Sequence, residues 1–409
     1  MKILFVHQNF PGQFLYLAPA LKARGHACQV LTHKDNTHET DIPTLRYTHE
    51  ITDPKPQETR LGRTFTQMTD RGVNVARAAR TMRDKYNYVP DVIFGHSGWG
   101  EMLFLKEIWP EAKVLIYAEF YYRGVGRDVG FDPEFQINSF EQILISQSRA
   151  GYLAQSLLHA DAGLSPTKWQ ASTHPPVLQS IIEVIFDGVK TDVMKPNPKA
   201  SVTLANGQKF SAGDEVLTFV NRNLEPYRGY HSFMRALPAV MAARPKAQVV
   251  IVGGNEVSYG DPAPGGKSWK DIYLDEVKDK IDLNRVHFVG KIPYPAFVEL
   301  MQVSRAHVYM TYPFVLSWSM LEAMSAEALI IGSRTQPVEE LITHGENGLL
   351  VDFFDIEGWS KTIIEALAKP KKFMHLRKAA RETIVQRYDL ETICLPRMIE
   401  FVERHGPKT

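Results

Sequence analysis

The sequence predicts an α/β protein of two doubly wound, Rossmann-like domains facing each other across a cleft. Three observations lead there. The chain has 409 residues, which at roughly 150 residues per domain suggests about two or three domains. Short apolar runs alternate with helical patterns along most of it, as βαβ units with a parallel sheet require. The alternation pauses near residues 186–215 and then restarts, so the units fall into two runs. The expected domains are 1–190 and 191–389, with a last helix over 390–409.

The first run begins with a strand at Ile3–Val6. A helix is expected over Gln13–Ala23, closed by Gly25 after the basic Lys22 and Arg24. Gln29–Thr32, Asp91–Phe94 and Val114–Tyr117 read as further strands. The pause contains Asp187-Gly188, Lys195-Pro196-Asn197-Pro198 and Asn206-Gly207, all turn signals. Val202–Leu204 and Gln208–Phe210 around Asn206-Gly207 suit a small hairpin. The second run holds strands at Val216–Val220, Gln248–Val252, Val286–Val289, Ala306–Met310 and Leu329–Ile331. Helices at 230–243, 295–303 and 357–368 fall between or after them.

Composition narrows the function. Lys and Arg total 47 against 46 Asp and Glu, so no global basic field exists to hold nucleic acid. Only Cys28 and Cys394 occur, which excludes a disulfide framework and disfavours a Cys-rich zinc site. No apolar run approaches the ~18 residues of a membrane span. The N-terminal apolar stretch turns polar at His7 and is too short for a signal-peptide core. A soluble cytoplasmic protein is expected, with surface attachment to a membrane left open.

In open parallel sheets, ligands sit beyond the C-terminal ends of the strands. After the first strand comes His7-Gln8-Asn9-Phe10-Pro11-Gly12-Gln13-Phe14, which is not G-x-G-x-x-G and disfavours a dinucleotide enzyme. Gly12 either lets backbone approach a ligand or simply makes a tight turn. After Asp91–Phe94 stands His96 among glycines, either a ligand to a sugar hydroxyl or phosphate or a histidine satisfied by backbone. After Val216–Val220, Arg222 and Arg228 flank a Pro-containing turn before a helix; guanidinium forks there suit a diphosphate, and a solvated basic loop is the alternative. After Ala306–Met310, a helix is expected to start near Ser319. Ser319 and Glu322 fit a capping box, while a carboxylate there can also take ribose hydroxyls. Phe314 and Trp318 would supply apolar walls. No HExxH, paired CxxC, P-loop, G-x-S-x-G elbow or D-x-D clamp is present, so neither a metal nor another cofactor is expected.

Together these residues resemble a bacterial retaining glycosyltransferase of family 4 with the GT-B fold. The resemblance is to the branch that starts HQNFPGQF and carries VNRNLEPYRG. It runs along nearly the whole chain, through Ser165-Pro166-Thr167-Lys168-Trp169-Gln170, Phe186-Asp187-Gly188-Val189, Leu321-Glu322-Ala323-Met324 and Gly345-Glu346-Asn347-Gly348. It implies a nucleotide-sugar donor, UDP favoured over GDP, held by the C-terminal domain. Glu322 matches the second glutamate of the family's E-x7-E motif and would hold the ribose. Arg222 and Arg228, the latter in place of a lysine, would neutralise the diphosphate. Gly12 would lie against that phosphate, Gly290, Lys291 and Ile292 near the base, and His96 near the donor sugar. The first glutamate of the motif is replaced by Phe314, which leaves backbone of Val315, Leu316 and Ser317 to meet the sugar. The implied reaction is glycosyl transfer with retention, without protein nucleophile or metal. The last helix would cross back onto the N-terminal domain.

The acceptor would be a glycan or a lipid-linked glycan, as in polysaccharide or glycoconjugate biosynthesis. Residues 60–85 carry Arg60, Arg63, Arg71, Arg77, Arg80, Arg83 and Lys85 against Asp70 and Asp84. This stretch either faces an anionic membrane on the cytoplasmic side or is a solvated helix surface. Glu119, Tyr121 and Arg123 either line the acceptor side or pack in the core. Two other functions fit the same architecture: a sugar-nucleotide epimerase or hydrolase, and a non-catalytic nucleotide-sugar-binding protein.

Overall fold

A computed structural model of the chain describes residues 1–50, 61–135 and 140–407. The chain divides into two units: Met1–Asp187 together with the segment from Glu391 onward, and Gly188–Leu390. Each is built on an all-parallel sheet, in agreement with the expected pair of doubly wound α/β domains.

The sheet of the first unit contains β1 (Lys2–Val6), β2 (Ala27–His33), β3 (Thr44–Tyr47), β4 (Val92–His96), β5 (Lys113–Tyr117), β6 (Ala162–Ser165) and β7 (Ile182–Val184). Their order is β3-β2-β1-β4-β5-β6-β7, with Ile3 opposite Cys28 on one side and Val92 on the other. Ile3, Leu4, Phe5 and Val6 are fully buried, as a strand covered on both faces by helices must be. The chain order reverses between β1 and β4, which makes a crevice at the C-terminal ends of those strands.

Sequence patterning does not single out β3, β6 or β7. β3 is an edge strand with mixed exposure, and Ala162-Gly163-Leu164-Ser165 lacks β-branched residues. Their pairing with neighbours makes them strands. The expected helix over Gln13–Ala23 is a single turn at Gly12–Phe14 followed by a helix at Leu17–Ala23. Pro19 favours the later start: it lacks an N–H and is best tolerated in a first turn, where it stands in Leu17–Ala23. The C-terminal segment forms a π turn at Leu390–Cys394 and a helix at Leu395–Arg404. That helix packs on Leu17–Ala23, and its Glu403 pairs with Arg24 at 2.8 Å and His26 at 3.0 Å.

The second unit opens with an antiparallel hairpin, β8 (Ser201–Thr203) and β9 (Lys209–Ser211), at the place the Asn-Gly turn predicts. Its main sheet contains β10 (Val216–Asn223), β11 (Gln248–Gly254), β12 (Val286–Gly290), β13 (Ala306–Tyr309), β14 (Leu329–Ser333) and β15 (Leu349–Val351). The order is β12-β11-β10-β13-β14-β15, so the switch point lies between β10 and β13. The end of β10, which carries Arg222, and the loops after those two strands, which carry Arg228 and residues 311–317, flank it.

Gly229 ends the turn that carries Arg228 and starts the helix Tyr230–Ala243. Its φ is +67°, and a Cβ there would lie 2.4 Å from Cβ of Met310. Gly229→Ala is therefore expected to destabilise this unit by about 2–3 kcal/mol, measured by urea unfolding.

Candidate functional site

In the second unit, Arg222 is the next-to-last residue of β10, within a break in register with β11, and its side chain is exposed. Its charge helps hold the Glu256 carboxyl below its ordinary value, after the larger effect of Lys291, which pairs with Glu256 at 2.7 Å. Lys291 follows Gly290 at the end of β12, and Gly290 takes a φ of +65°. Ile292 beside it is half-buried. This is a solvent-exposed group of charges, and the Lys291–Glu256 pair is worth little on its own.

Arg228 sits differently. It is 5% exposed. Its Nη1 donates to Thr311 Oγ1 and to the Val315 carbonyl, each at 2.9 Å, and to the Tyr309 hydroxyl at 3.4 Å. The guanidinium lies 5.1 Å from the ring of Tyr259 and 5.9 Å from that of Phe314. Tyr309 in turn accepts from the Ser317 amide at 2.8 Å. Glu225, 1% exposed, accepts from the amides of Ser258, Tyr259 and Gly260 and fixes the loop that presents Tyr259. Arg228 is thus a strut for the loop 311–317. Of the backbone groups expected to meet a sugar, the Val315 carbonyl and the Ser317 amide are engaged inside this network; Leu316 is buried between them.

Phe314 is also buried, edge-on to Tyr227 at 5.5 Å and Tyr259 at 4.9 Å. It is a core group here rather than a pocket wall. Trp318 is 44% exposed.

The capping box at Ser319 and Glu322 does not form. The helix runs Trp318–Ser325 and is capped by Ser317, whose side chain accepts from the Ser319 amide. Ser319 already has a helical position, which leaves Glu322 pointing elsewhere. Its carboxylate accepts from the Tyr294 hydroxyl at 2.9 Å. Burial pushes the Glu322 carboxyl up to about 7, and the Tyr294 hydrogen bond only partly opposes this.

In the first unit, His96 ends β4 and is 2% exposed. Its Nδ1 accepts from the Gly98 amide at 2.8 Å. Glu119 Oε2 lies 3.6 Å from its Nε2. Gly12 has a φ of +48°, and a Cβ there would come within 2.6 Å of the His7 ring. The packing of His7 is therefore reason enough for a glycine at this position. Tyr121 is a core residue beside His174, whereas Arg123 is exposed.

The basic stretch forms the helix Arg63–Tyr86; Arg60 lies outside the described residues. Its basic side chains do not share one surface. Arg71 is buried and donates to Gln8, Arg80 and Arg83 pair with Asp84, and Arg83 also donates to the Ile108 carbonyl. Arg71 therefore leaves the membrane-facing set. Residues to which the sequence reading gave no role do much of the positioning: Tyr309, Thr311 and Tyr259 around Arg228, Tyr294 at Glu322, and Gln13 and Gln170 at Glu119. Gln13 and Gln170 lie in the runs quoted above, HQNFPGQF and that around Trp169; the others carry no local pattern. Among the described residues, no cluster of three or more His, Cys, Asp or Glu side chains is gathered as a metal would need, and no helix is long and apolar enough to cross a membrane.

Residues 24–194 match the family model of the glycosyl transferase family 4 group, and residues 204–383 that of glycosyl transferases group 1. The chain thus carries a domain of each of these two glycosyltransferase families. A curated relative is the D-inositol 3-phosphate glycosyltransferase of Thermobispora bispora, 22% identical over 199 residues, or 49% of this chain and 45% of that protein. The chain spans less than half the length of the curated D-inositol 3-phosphate glycosyltransferases it matches. Among solved structures, HepE from Anabaena in complex with UDP superposes with a TM-score of 0.67 at 17% identity, over 99% of this chain and 100% of that one. Sucrose-phosphate synthase from Thermosynechococcus elongatus superposes with a TM-score of 0.70 at 19% identity, over 99% of each chain. These likenesses establish the GT-B fold for this glycosyltransferase-family chain.

Proposed function

We propose that this protein moves a sugar from a nucleotide diphosphate sugar, a UDP conjugate first and a GDP conjugate second, to a hydroxyl of a glycan or lipid-linked acceptor with retention. The observation that carries the reading is the switch-point crevice of the second unit. Exposed Arg222 and half-buried Glu322 lie on the two segments that flank it, where nucleotides bind in open α/β sheets. The UDP and UDP-glucose complexes of HepE support the choice of UDP. In the reaction, the acceptor oxygen bonds to the anomeric carbon on the face from which the diphosphate leaves. The electron pair of the broken C–O bond stays on the diphosphate oxygen, and the acceptor proton passes to a diphosphate oxygen. Arg222 stabilises the charge that grows there. No metal or protein nucleophile takes part. A cytoplasmic place in polysaccharide or glycoconjugate biosynthesis, with peripheral membrane contact through exposed Arg77, Arg80 and Lys85, completes the proposal.

Glu322 makes the reading testable through pH. Its carboxylate must be ionised to accept two ribose hydroxyls, and it titrates near 7. Below that pH, binding must release a proton, so affinity falls as pH falls. UDP affinity is expected to rise about tenfold from pH 6 to pH 8. Glu322→Gln should bind weakly at both, and Arg222→Ala should lose binding without losing stability. Calorimetric titration of UDP, GDP and ADP checks this, and no binding by any of them would overturn the proposal. Phe314, buried where the family places a carboxylate, supports a second reading as a nucleotide-sugar-binding protein without transfer. Binding with no turnover on any acceptor would favour it.

A further inference from the structure

In the first unit, buried His96 faces the part-exposed carboxylate of Glu119, and buried His7 reaches it through half-buried Gln13. The His96 Nδ1 accepts from the Gly98 amide, so its ring proton is on Nε2. That nitrogen is buried without a hydrogen-bond partner of its own and faces Glu119 Oε2 at 3.6 Å. His7 has the same tautomer for the same reason: its Nδ1 accepts from the Asn9 amide at 3.0 Å. Its Nε2–H therefore donates to Gln13 Oε1, also at 3.0 Å. This orients the Gln13 amide, whose Nε2 donates to Glu119 Oε1 at 3.3 Å. Burial holds His7 down at about 3, so it acts as a neutral donor at physiological pH. The backbone is fixed too. Gln170, 1% exposed, donates from Nε2 to the Glu119 carbonyl at 2.9 Å.

A surface carboxylate needs none of this to be stable. Each buried polar group costs free energy unless its geometry is satisfied. Here that geometry serves one carboxylate whose side chain remains 32% exposed. His7 follows β1 and His96 ends β4, the strands that bracket the switch point, and Glu119 stands two residues beyond β5.

We propose that Glu119 is a catalytic residue that accepts a hydrogen bond from the acceptor's attacking hydroxyl and so orients its oxygen. Gln13 and His7 are positioning residues that act through it. Glu119 does not keep the proton, which passes to the diphosphate oxygen. The inference rests on the glycosyl-transfer reading above and names how that reaction holds its acceptor.

Two measurements test it. Nitrogen-15 spectra of the histidines in the free protein should show His7 and His96 as Nε2–H tautomers, with the His96 signal shifted in Glu119→Gln. An Nδ1–H tautomer at either histidine overturns the relay without any appeal to activity. Turnover of UDP-glucose, UDP-N-acetylglucosamine and GDP-mannose, with methyl glycosides and water as acceptors, tests the role. Glu119→Gln is expected to lower kcat about 100-fold and Gln13→Leu about 10-fold, with donor KM and melting temperature unchanged. If Glu119→Gln loses its fold, Glu119→Asp carries the same test: the shorter carboxylate is expected to lower kcat about 10-fold. A wild type that transfers while folded Glu119 variants transfer equally well overturns this inference alone. A wild type that neither binds nor turns over any of these donors overturns the glycosyl-transfer reading, and this inference falls with it.

Discussion

Arg228→Ala is expected to destabilise the second unit by about 3 kcal/mol, because a buried guanidinium is removed from polar groups that cannot reach water. The Val315 carbonyl and the Thr311 hydroxyl each lose a donor at 2.9 Å, and the rings of Tyr259 and Phe314 lose the cation between them. For a unit of this size, such a loss lowers the melting temperature by about 6–12 °C. The loop 311–317 loosens, so nucleotide binding falls as well. Arg228→Lys should recover only part of the loss, since one ammonium cannot replace a planar fork. Arg222→Ala is the contrast. That side chain is exposed, so its loss should leave stability within about 0.5 kcal/mol while removing nucleotide binding. Unfolding by denaturant and UDP titration of the three variants separate the two roles. Equal stability of Arg228→Ala and wild type would show that the buried arginine is no strut.

The second large effect is expected at Arg71→Met in the first unit. Glu101 is fully buried, accepts from the Tyr47 hydroxyl and from the Gln8 amide at 3.1 Å, and has Arg71 as its compensating charge. Burial pushes its carboxyl up to about 7 from an ordinary value near 4.5, despite the opposing pull of Tyr47 and Arg71. The sign follows. Between those two values the folded state binds more protons than the unfolded state, so this group's contribution to stability declines as pH rises through the window. Above pH 7 the folded protein must carry the buried charge, and Arg71 makes that tolerable. Without Arg71 the loss should be about 3–5 kcal/mol at pH 8, where the carboxylate is left uncompensated. At pH 5 the carboxyl is neutral in either protein, and the loss should shrink to about 1–2 kcal/mol. Urea unfolding at the two pH values checks this. A deficit that grew toward acid pH would show that Arg71 does not stabilise the buried charge.

Both predictions concern arginines whose surroundings are invisible in the chain's local pattern. Arg222 and Arg228 stand six positions apart, at the end of β10 and in the turn after it, and look alike in sequence. A break in the register of β10 leaves the first in solvent. A turn closed by Gly229 carries the second under Tyr259 and Phe314. Arg71 belongs to a run of basic residues that reads as a surface. Its place on the helix Arg63–Tyr86 nevertheless turns it toward Gln8 and Glu101. The same holds for Ser319 and Glu322, whose spacing matches a capping box until Ser317 takes the cap.

What the sequence determined by itself is the architecture. Apolar runs at strand length, helical periods between them and the Asn-Gly hairpin specify two parallel α/β units, because burial and turn preference act over a few neighbouring residues. The strand-end rule then placed His96, Arg222, Glu119 and Glu322 near the C-terminal edges of those sheets. Only the tertiary structure decided which of these polar groups are buried and what each one faces. Gln13 and Gln170 meet Glu119 from 106 and 51 residues away, and Arg228 reaches Val315 across 87. Partners that distant are chosen by strand order and packing, and no local period of the chain encodes them.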